Sequence, residues 1–170
     1  MTVHMTMQSP LGDLLLTGEE PATPGGAVTL SSMSMPGQRN APVVQRSWRH
    51  DPAAFAEPVR QIESYFAGTL TEFRLELADS GTEFQRLVWQ SLDALPYGEV
   101  TSYGALARRL GLPRDRVQAL GAAIGANPLL IVRPCHRVIG ADGTLRGYAG
   151  GVERKQQLLV HEGALQPMLG

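Results

Sequence analysis

The chain lacks the residues that would place it in several whole classes of protein. It has a single cysteine, Cys135, among 170 residues. One thiol can form neither an intrachain disulfide nor a cysteine-rich metal site, so it can act only as a free thiol. His4 and His50 have no cysteine to complete a zinc site with them, so neither a metal nor a cofactor is expected. No apolar run approaches the length of a membrane span. Met1–Gly12 is polar, without the basic-then-apolar order of a secretory signal. Together with the free thiol, this leads us to expect a cytoplasmic protein with no membrane partner. The net charge of −1 argues against a binder that holds nucleic acid by global charge alone.

What is present is enough for a core: 43% of residues are hydrophobic, at a length that suits one or two small domains. Charge is unevenly spread. Arg108, Arg109, Arg114, Arg116, Arg133 and Arg137 face only Asp115 over residues 101–137, the local excess that a phosphate-facing surface needs.

The two halves read differently. In the first, Val3–Gln8, Leu14–Thr17 and Val28–Met35 are expected as short strands, with Gly18–Gly26 and Pro36–Pro42 as loops. Asp51-Pro52 opens a helix with an acid as its cap and Phe55, Val59, Ile62 and Phe66 on one face. Phe73, Leu75 and Leu77 alternate as a half-buried strand should. Asp79-Ser80-Gly81 is the expected boundary.

In the second half, Thr82 caps a helix whose stripe is Phe84, Leu87, Val88, Leu92 and Leu95. Ser102 caps another, running to Leu110. After the turn Gly111-Leu112-Pro113, a third helix spans Arg114–Gly125, and the pair has helix-turn-helix spacing. The third helix turns Val117, Leu120, Gly121 and Ile124 inward. It leaves Ala119, Ala122, Ala123 and Ala126 on a bare face with Gln118 and Arg116 at its edges, a surface that can approach a narrow groove closely. Leu129–Val132 reads as an apolar strand delivering Pro134-Cys135-His136. Gly147–Gly151 is a glycine-rich loop, and Glu153–Glu162 is the last helix, closed by Gly163.

A thiol beside an imidazole is the pairing nucleophilic chemistry asks for, because the thiolate reacts and a nearby base generates it. Pro134-Cys135-His136-Arg137-Val138 resembles the active-site motif of the O6-alkylguanine-DNA alkyltransferases. The likeness extends to Tyr97-Gly98-Glu99-Val100 with Ser102-Tyr103, Asn127-Pro128, Gly147-Tyr148 with Gly150-Gly151, and Lys155 with Leu158-Leu159 leading to Glu162. It is specific over residues 80–163 and looser over 1–78.

The resemblance implies an α+β chain. A small N-terminal α/β domain would occupy residues 1–78. A C-terminal helical domain, with a winged-type helix-turn-helix and an active-site cysteine strand, would occupy 79–170. It implies stoichiometric, irreversible transfer of an alkyl group from O6-alkylguanine in duplex DNA to Cys135, after the base is flipped through the minor groove. O4-alkylthymine is a further candidate substrate. The protein is expected to be a monomer in solution, with cooperative loading on DNA left open.

By the same resemblance, Cys135 is the nucleophile and His136 its base through water. Glu162 orients the imidazole, Tyr103 donates to guanine N3, and Lys155 is a cation near the thiolate. Asn127 bonds across the turn before the cysteine. Backbone groups of Cys135, Val138 and Ala149, with the loop of Tyr148 and Gly150, would read the flipped base. Gln118, Ala119, Ala122, Arg116 and Arg137 are expected to face DNA.

Two residues depart from the family pattern. Gln118 stands where the family carries the arginine that fills the gap left by the flipped base. Arg133 stands where it carries an aliphatic residue before Pro134, and could pair with an acid, contact phosphate or favour thiolate. The alternative reading is a helix-turn-helix damage sensor with weak or no transfer because of Gln118.

Overall fold

The structure, a computed structural model, describes residues 1–166; the expected C-terminal domain ran to 170, and its last four residues lie outside those described. The chain forms two compact units, Met1–Asp79 and Ser80–Gly170.

The first unit is a four-stranded sheet with one helix. Strands β1 (Thr2–Met7), β2 (Leu14–Glu19), β3 (Thr29–Ser34) and β4 (Arg49–His50) stand in the order β3-β2-β1-β4. β1 pairs antiparallel with β2 and parallel with β4, and β2 pairs antiparallel with β3. The expected loop beginning at Gly18 is instead the end of β2. The register shifts between Thr17 and Gly18, and a Cβ at Gly18 would come within 2.5 Å of the Thr29 carbonyl oxygen. This glycine marks a bulge where two backbones meet closely, a use of glycine that resembles a turn in sequence.

Asp51 does not cap the following helix through its side chain; its carboxylate takes a bond from Arg49 Nη2 at 3.0 Å. A 3-10 turn over Pro52–Phe55 leads into α1 (Ala56–Phe66). The buried face of this stretch is Phe55, Pro58, Gln61, Ile62 and Tyr65, so the seam uses Tyr65 rather than Phe66. Buried Gln61 bonds the Arg74 backbone on both sides, Nε2 to the carbonyl at 3.0 Å and Oε1 from the amide at 2.9 Å. Residues 73–77 alternate in exposure as expected, but they do not form a full strand. Their backbone is shared between the Gln61 amide and a single bridge of Leu77 to Leu30.

In the second unit, α2 (Glu83–Asp93) begins at a full capping box between Thr82 and Gln85. Its buried residues are Val88, Trp89 and Leu92. Leu87, expected inside, is 46% exposed, and Trp89 takes the core position instead. Then follow β5 (Thr101–Ser102), α3 (Tyr103–Arg109) and α4 (Val117–Gly125), with a 3-10 turn at Arg114–Arg116 leading into α4. The Ser102 side chain accepts from the Ala105 amide, as an N-cap should.

Ala123 is not on the bare face of α4. It is buried, and its carbonyl accepts the Trp89 indole N–H at 2.8 Å. Gln118 and Ala122 are exposed, and Ala119 is half-buried. The segment ahead of Cys135 is a turn rather than a strand, and Cys135–Arg137 is itself a 3-10 turn. The strand comes after it: β6 (Val138–Ile139) pairs parallel with β5. α5 (Val152–His161) closes the unit. Among the described residues no helix is long and apolar enough to cross a membrane, and no cluster of three or more His, Cys, Asp or Glu could hold a metal.

Candidate active site

The pairing of Thr101 with Val138 and Ser102 with Ile139 sets the start of α3 beside the segment that carries the thiol. Tyr103, the first residue of α3, is thereby held near Cys135. Burial raises its phenol pKa, and the neighbouring thiol raises it further.

The turn before Cys135 is built by force. Ile131 has φ 72°, a left-handed conformation that a β-branched residue resists at a cost of about 1–3 kcal/mol. The surroundings hold it there. The Arg133 amide donates to Leu129 O (2.9 Å) and the Val132 amide to Leu130 O (2.8 Å). Buried Asn127 spans the turn: its Nδ2 donates to Arg133 O (3.0 Å), while its Oδ1 accepts from the Leu129 amide (3.0 Å). Asn127 therefore bonds across the turn, which is more than a helix end requires.

Cys135 is 4% exposed. Burial pushes its pKa up to about 11, against the lowering influence of the Asn127 amide and of Lys155. At neutral pH the thiol is therefore protonated.

His136 is fully buried, and burial lowers its pKa so that it is neutral at pH 7. Its Nε2 donates to Glu162 Oε2 at 2.8 Å, since an ionised carboxylate can only accept. Nδ1 is buried with no hydrogen-bond partner, a lone pair free to take a proton. Glu162 is held by a second group. Arg137 forks onto it, Nε to Oε1 at 2.8 Å and Nη2 to Oε2 at 3.0 Å, and its Nη1 donates to Leu95 O at 2.6 Å. The Tyr97 ring lies against this guanidinium. A Cβ at Gly98, whose φ is 82°, would meet the Glu162 carbonyl at 3.3 Å, so that turn needs glycine to pass.

Arg137 was expected at the DNA surface. It is 6% exposed and committed to Glu162 and Leu95, because a buried carboxylate needs a buried cation. Arg133 is also buried, with Nε 3.3 Å from Asp93 Oδ1 and its guanidinium over Trp89. Of the arginine excess, only Arg108, Arg109, Arg114 and Arg116 remain exposed, and Arg116 stacks on Phe84.

Lys155 is 1% exposed, and burial lowers its pKa to about 8. Its Nζ donates to the carbonyls of Val138 (2.6 Å), Arg146 (3.3 Å) and Gly147 (3.5 Å), tying the glycine-rich loop to β6. The Val138 amide donates to Cys135 O, and the Cys135 amide to Arg133 O at 2.8 Å. The Cys135 and Val138 backbone groups expected to read a base are thus already engaged; what remains of them is the second lone pair of each carbonyl. Ala149 and Gly150 are buried and Tyr148 half-buried in the loop over residues 147–151.

A sole thiol, a neutral imidazole with a free lone pair, an ion-paired carboxylate and a phenol therefore gather within one unit. Arg137 as the partner of Glu162, and Trp89 and Asp93 as partners of Arg133, were not readable from spacing, since each pair is far apart in the chain.

Residues 2–78 match the model described as 6-O-methylguanine DNA methyltransferase, ribonuclease-like domain. Residues 83–164 match that described as 6-O-methylguanine DNA methyltransferase, DNA binding domain. The chain is 47% identical over 162 residues to a methylated-DNA–protein-cysteine methyltransferase of Mycolicibacterium paratuberculosis, covering 95% of this chain and 93% of that one. It is 42% identical over 161 residues to one from Methanosarcina acetivorans, covering 95% and 98%. Its structure is similar to that of Mycobacterium tuberculosis OGT in complex with DNA, with a TM-score of 0.83 and 44% identity over 95% of this chain and 93% of that one.

Proposed function

The chain belongs to the 6-O-methylguanine DNA methyltransferase family, and from that membership we propose that it repairs duplex DNA by moving the alkyl group of O6-alkylguanine onto Cys135. It is a methylated-DNA–protein-cysteine methyltransferase, an enzyme of DNA repair by alkyl transfer. The observation that carries the assignment of Cys135 is the neutral, Glu162-bound imidazole next in chain to the only thiol.

The chemistry that family membership implies suits these groups. His136, neutral and with Nδ1 open, takes the thiol proton through water. Glu162 steadies the imidazolium that forms, the role of the third group in a triad. The thiolate attacks the alkyl carbon in line; a carbon–sulfur bond forms as the carbon–O6 bond breaks. The guanine leaves with the bonding electrons and is protonated, assisted by Tyr103 donating to N3. One thiol hydrogen is exchanged for one alkyl group, and the thioether does not return it, so each molecule acts once.

The base reaches a buried thiol only after leaving the stack. Exposed Gln118 and Ala122, with half-buried Ala119, form the α4 face that enters the minor groove, and Arg116 lies at its edge. The second lone pairs of the Cys135 and Val138 carbonyls accept from the guanine amino edge, and the loop of Tyr148, Ala149 and Gly150 covers the base. O4-alkylthymine offers the same ether carbon on a smaller ring.

The test is incubation with duplex DNA carrying labelled O6-methylguanine. One label per molecule on Cys135 is expected, and none for Cys135→Ala. Binding without transfer by the wild type would favour the damage-sensor reading. An O4-methylthymine duplex run alongside measures substrate breadth.

A further inference from the structure

Arg133 uses its backbone amide, its carbonyl and its side chain at the turn that carries the thiol. Its carbonyl accepts from Asn127 Nδ2 (3.0 Å) and from the Cys135 amide (2.8 Å), and its own amide donates to Leu129 O (2.9 Å). Its side chain leaves the turn and reaches α2, with Nε 3.3 Å from Asp93 Oδ1 and the guanidinium carbon 5.1 Å from the Trp89 ring centre. Trp89 in turn donates to the Ala123 carbonyl of α4 at 2.8 Å. One face of α2 therefore holds both the cysteine turn and the helix expected to enter DNA.

We propose that Arg133 is a positioning residue for alkyl transfer, clamping the Leu129–Cys135 turn onto α2 through Asp93 and Trp89. The proposal rests on Cys135 being the alkyl acceptor. The backbone bonds around Arg133 would survive any substitution but proline; the tie to α2 belongs to the guanidinium alone. That tie matters because Ile131, two residues earlier, sits in a left-handed conformation that relaxes unless its neighbours prevent it. In-line attack is intolerant of displacement, and a misplacement of about 1 Å can cost on the order of a hundredfold in rate. A planar guanidinium can pair with a carboxylate and lie on an indole at once, which an ammonium cannot. The charge of Arg133 also lowers the Cys135 pKa, but as the last and smallest of the influences on it, behind Asn127 and Lys155. At 7% exposure and already paired, Arg133 presents no free cation to a phosphate.

The test measures the single-turnover transfer rate constant at saturating DNA, and the Kd for DNA, for wild type, R133M, R133K, D93N and the double variant R133M/D93N. R133M is expected to transfer about tenfold more slowly, with Kd within about twofold of wild type. R133K should regain part of the rate, since it keeps the pair with Asp93 but loses the stack. D93N should slow transfer less than R133M does, and the double variant should be no slower than R133M, because both changes open one clamp. Removing the counter-charge of buried Arg133 lowers the melting temperature of D93N in either case, so rates are read well below it: a purely structural role leaves the transfer rate of the folded protein at the wild-type value, whereas positioning lowers it. R133M transferring at the wild-type rate, or losing only affinity with a shallower salt dependence, overturns the proposal. If R133M does not fold, D93N decides alone, because its carboxylate is 42% exposed, and wild-type speed there overturns the clamp. A wild type that transfers nothing overturns the parent reading and this one with it; a wild type that transfers beside an equally fast D93N overturns only the clamp.

Discussion

At the scale of single residues, burial sets the protonation of the thiol and of the imidazole beside it. Burial holds Cys135 at a pKa of about 11, so the thiol rests protonated and unreactive toward stray electrophiles. His136 is neutral for the same reason, and Lys155 stays a cation only up to about pH 8. These directions give a pH profile for transfer at saturating DNA. With His136 as base, its lone pair is available throughout pH 7 and above, so alkali brings no gain. Loss of the Lys155 charge then makes transfer slower above pH 8. Single-turnover rates from pH 6.5 to 9.5 check this. A flat region followed by a fall is expected, and the fall should be absent in Lys155→Met, which is slow throughout. A tenfold rise per pH unit would instead mean direct thiolate attack without His136. The thiol, the imidazole and Glu162 were legible in the sequence because the motif and its spacing bring their chemistry together. The destination of Arg137 was not. The arginine excess over residues 101–137 places it with the surface charges, and only the buried position of Glu162 shows that it is a counter-ion.

At the scale of elements, α4 shows how far a helical pattern can be read. Of its expected inward residues, Leu120 and Ile124 are buried; Val117 is half-buried, and a Cβ at Gly121 would meet nothing within 4 Å. Ala123 was misplaced because alanine suits a bare face and a tight contact equally. The Trp89 indole that meets its carbonyl comes from another helix. What remains exposed is Gln118 with Ala122, and Gln118 stands where the family pattern carries an arginine. Gln118→Arg is expected to tighten binding to duplex DNA and to steepen its salt dependence by about one counterion. Titration at two or more salt concentrations checks this, and unchanged affinity with an unchanged transfer rate would show that Gln118 costs the protein nothing. The expected strand before Cys135 failed for a related reason. An apolar run of that length suits a strand or a buried turn, and the choice fell to Asn127, whose side chain satisfies the backbone groups a strand partner would have taken.

At the scale of the whole molecule, each unit has its own buried core: Val3, Leu14, Leu16, Leu30, Ile62 and Tyr65 in the first, Leu92, Leu106, Leu120, Val138 and Leu159 in the second. Stability should respond to acid through His136. Its folded pKa lies below its unfolded value, so the unfolded chain binds the extra proton first. The stabilisation is complete above about pH 6.5 and is lost as pH falls through the window below it. Denaturation midpoints at pH 7.5 and 5.5 should drop for the wild type and drop less for His136→Gln. Equal drops would place the acid sensitivity elsewhere. The sequence by itself determined the reaction class, the lone thiol beside an imidazole, the α+β character and the break near residue 79, because motif chemistry, periodicity and punctuation are local properties of the chain. Only the tertiary structure decided which arginines face solvent, which backbone groups stay open to a substrate, and what holds the cysteine turn in its strained shape. Those depend on partners far apart in the chain, and a buried charge or an orphaned carbonyl finds its partner only once the elements have packed.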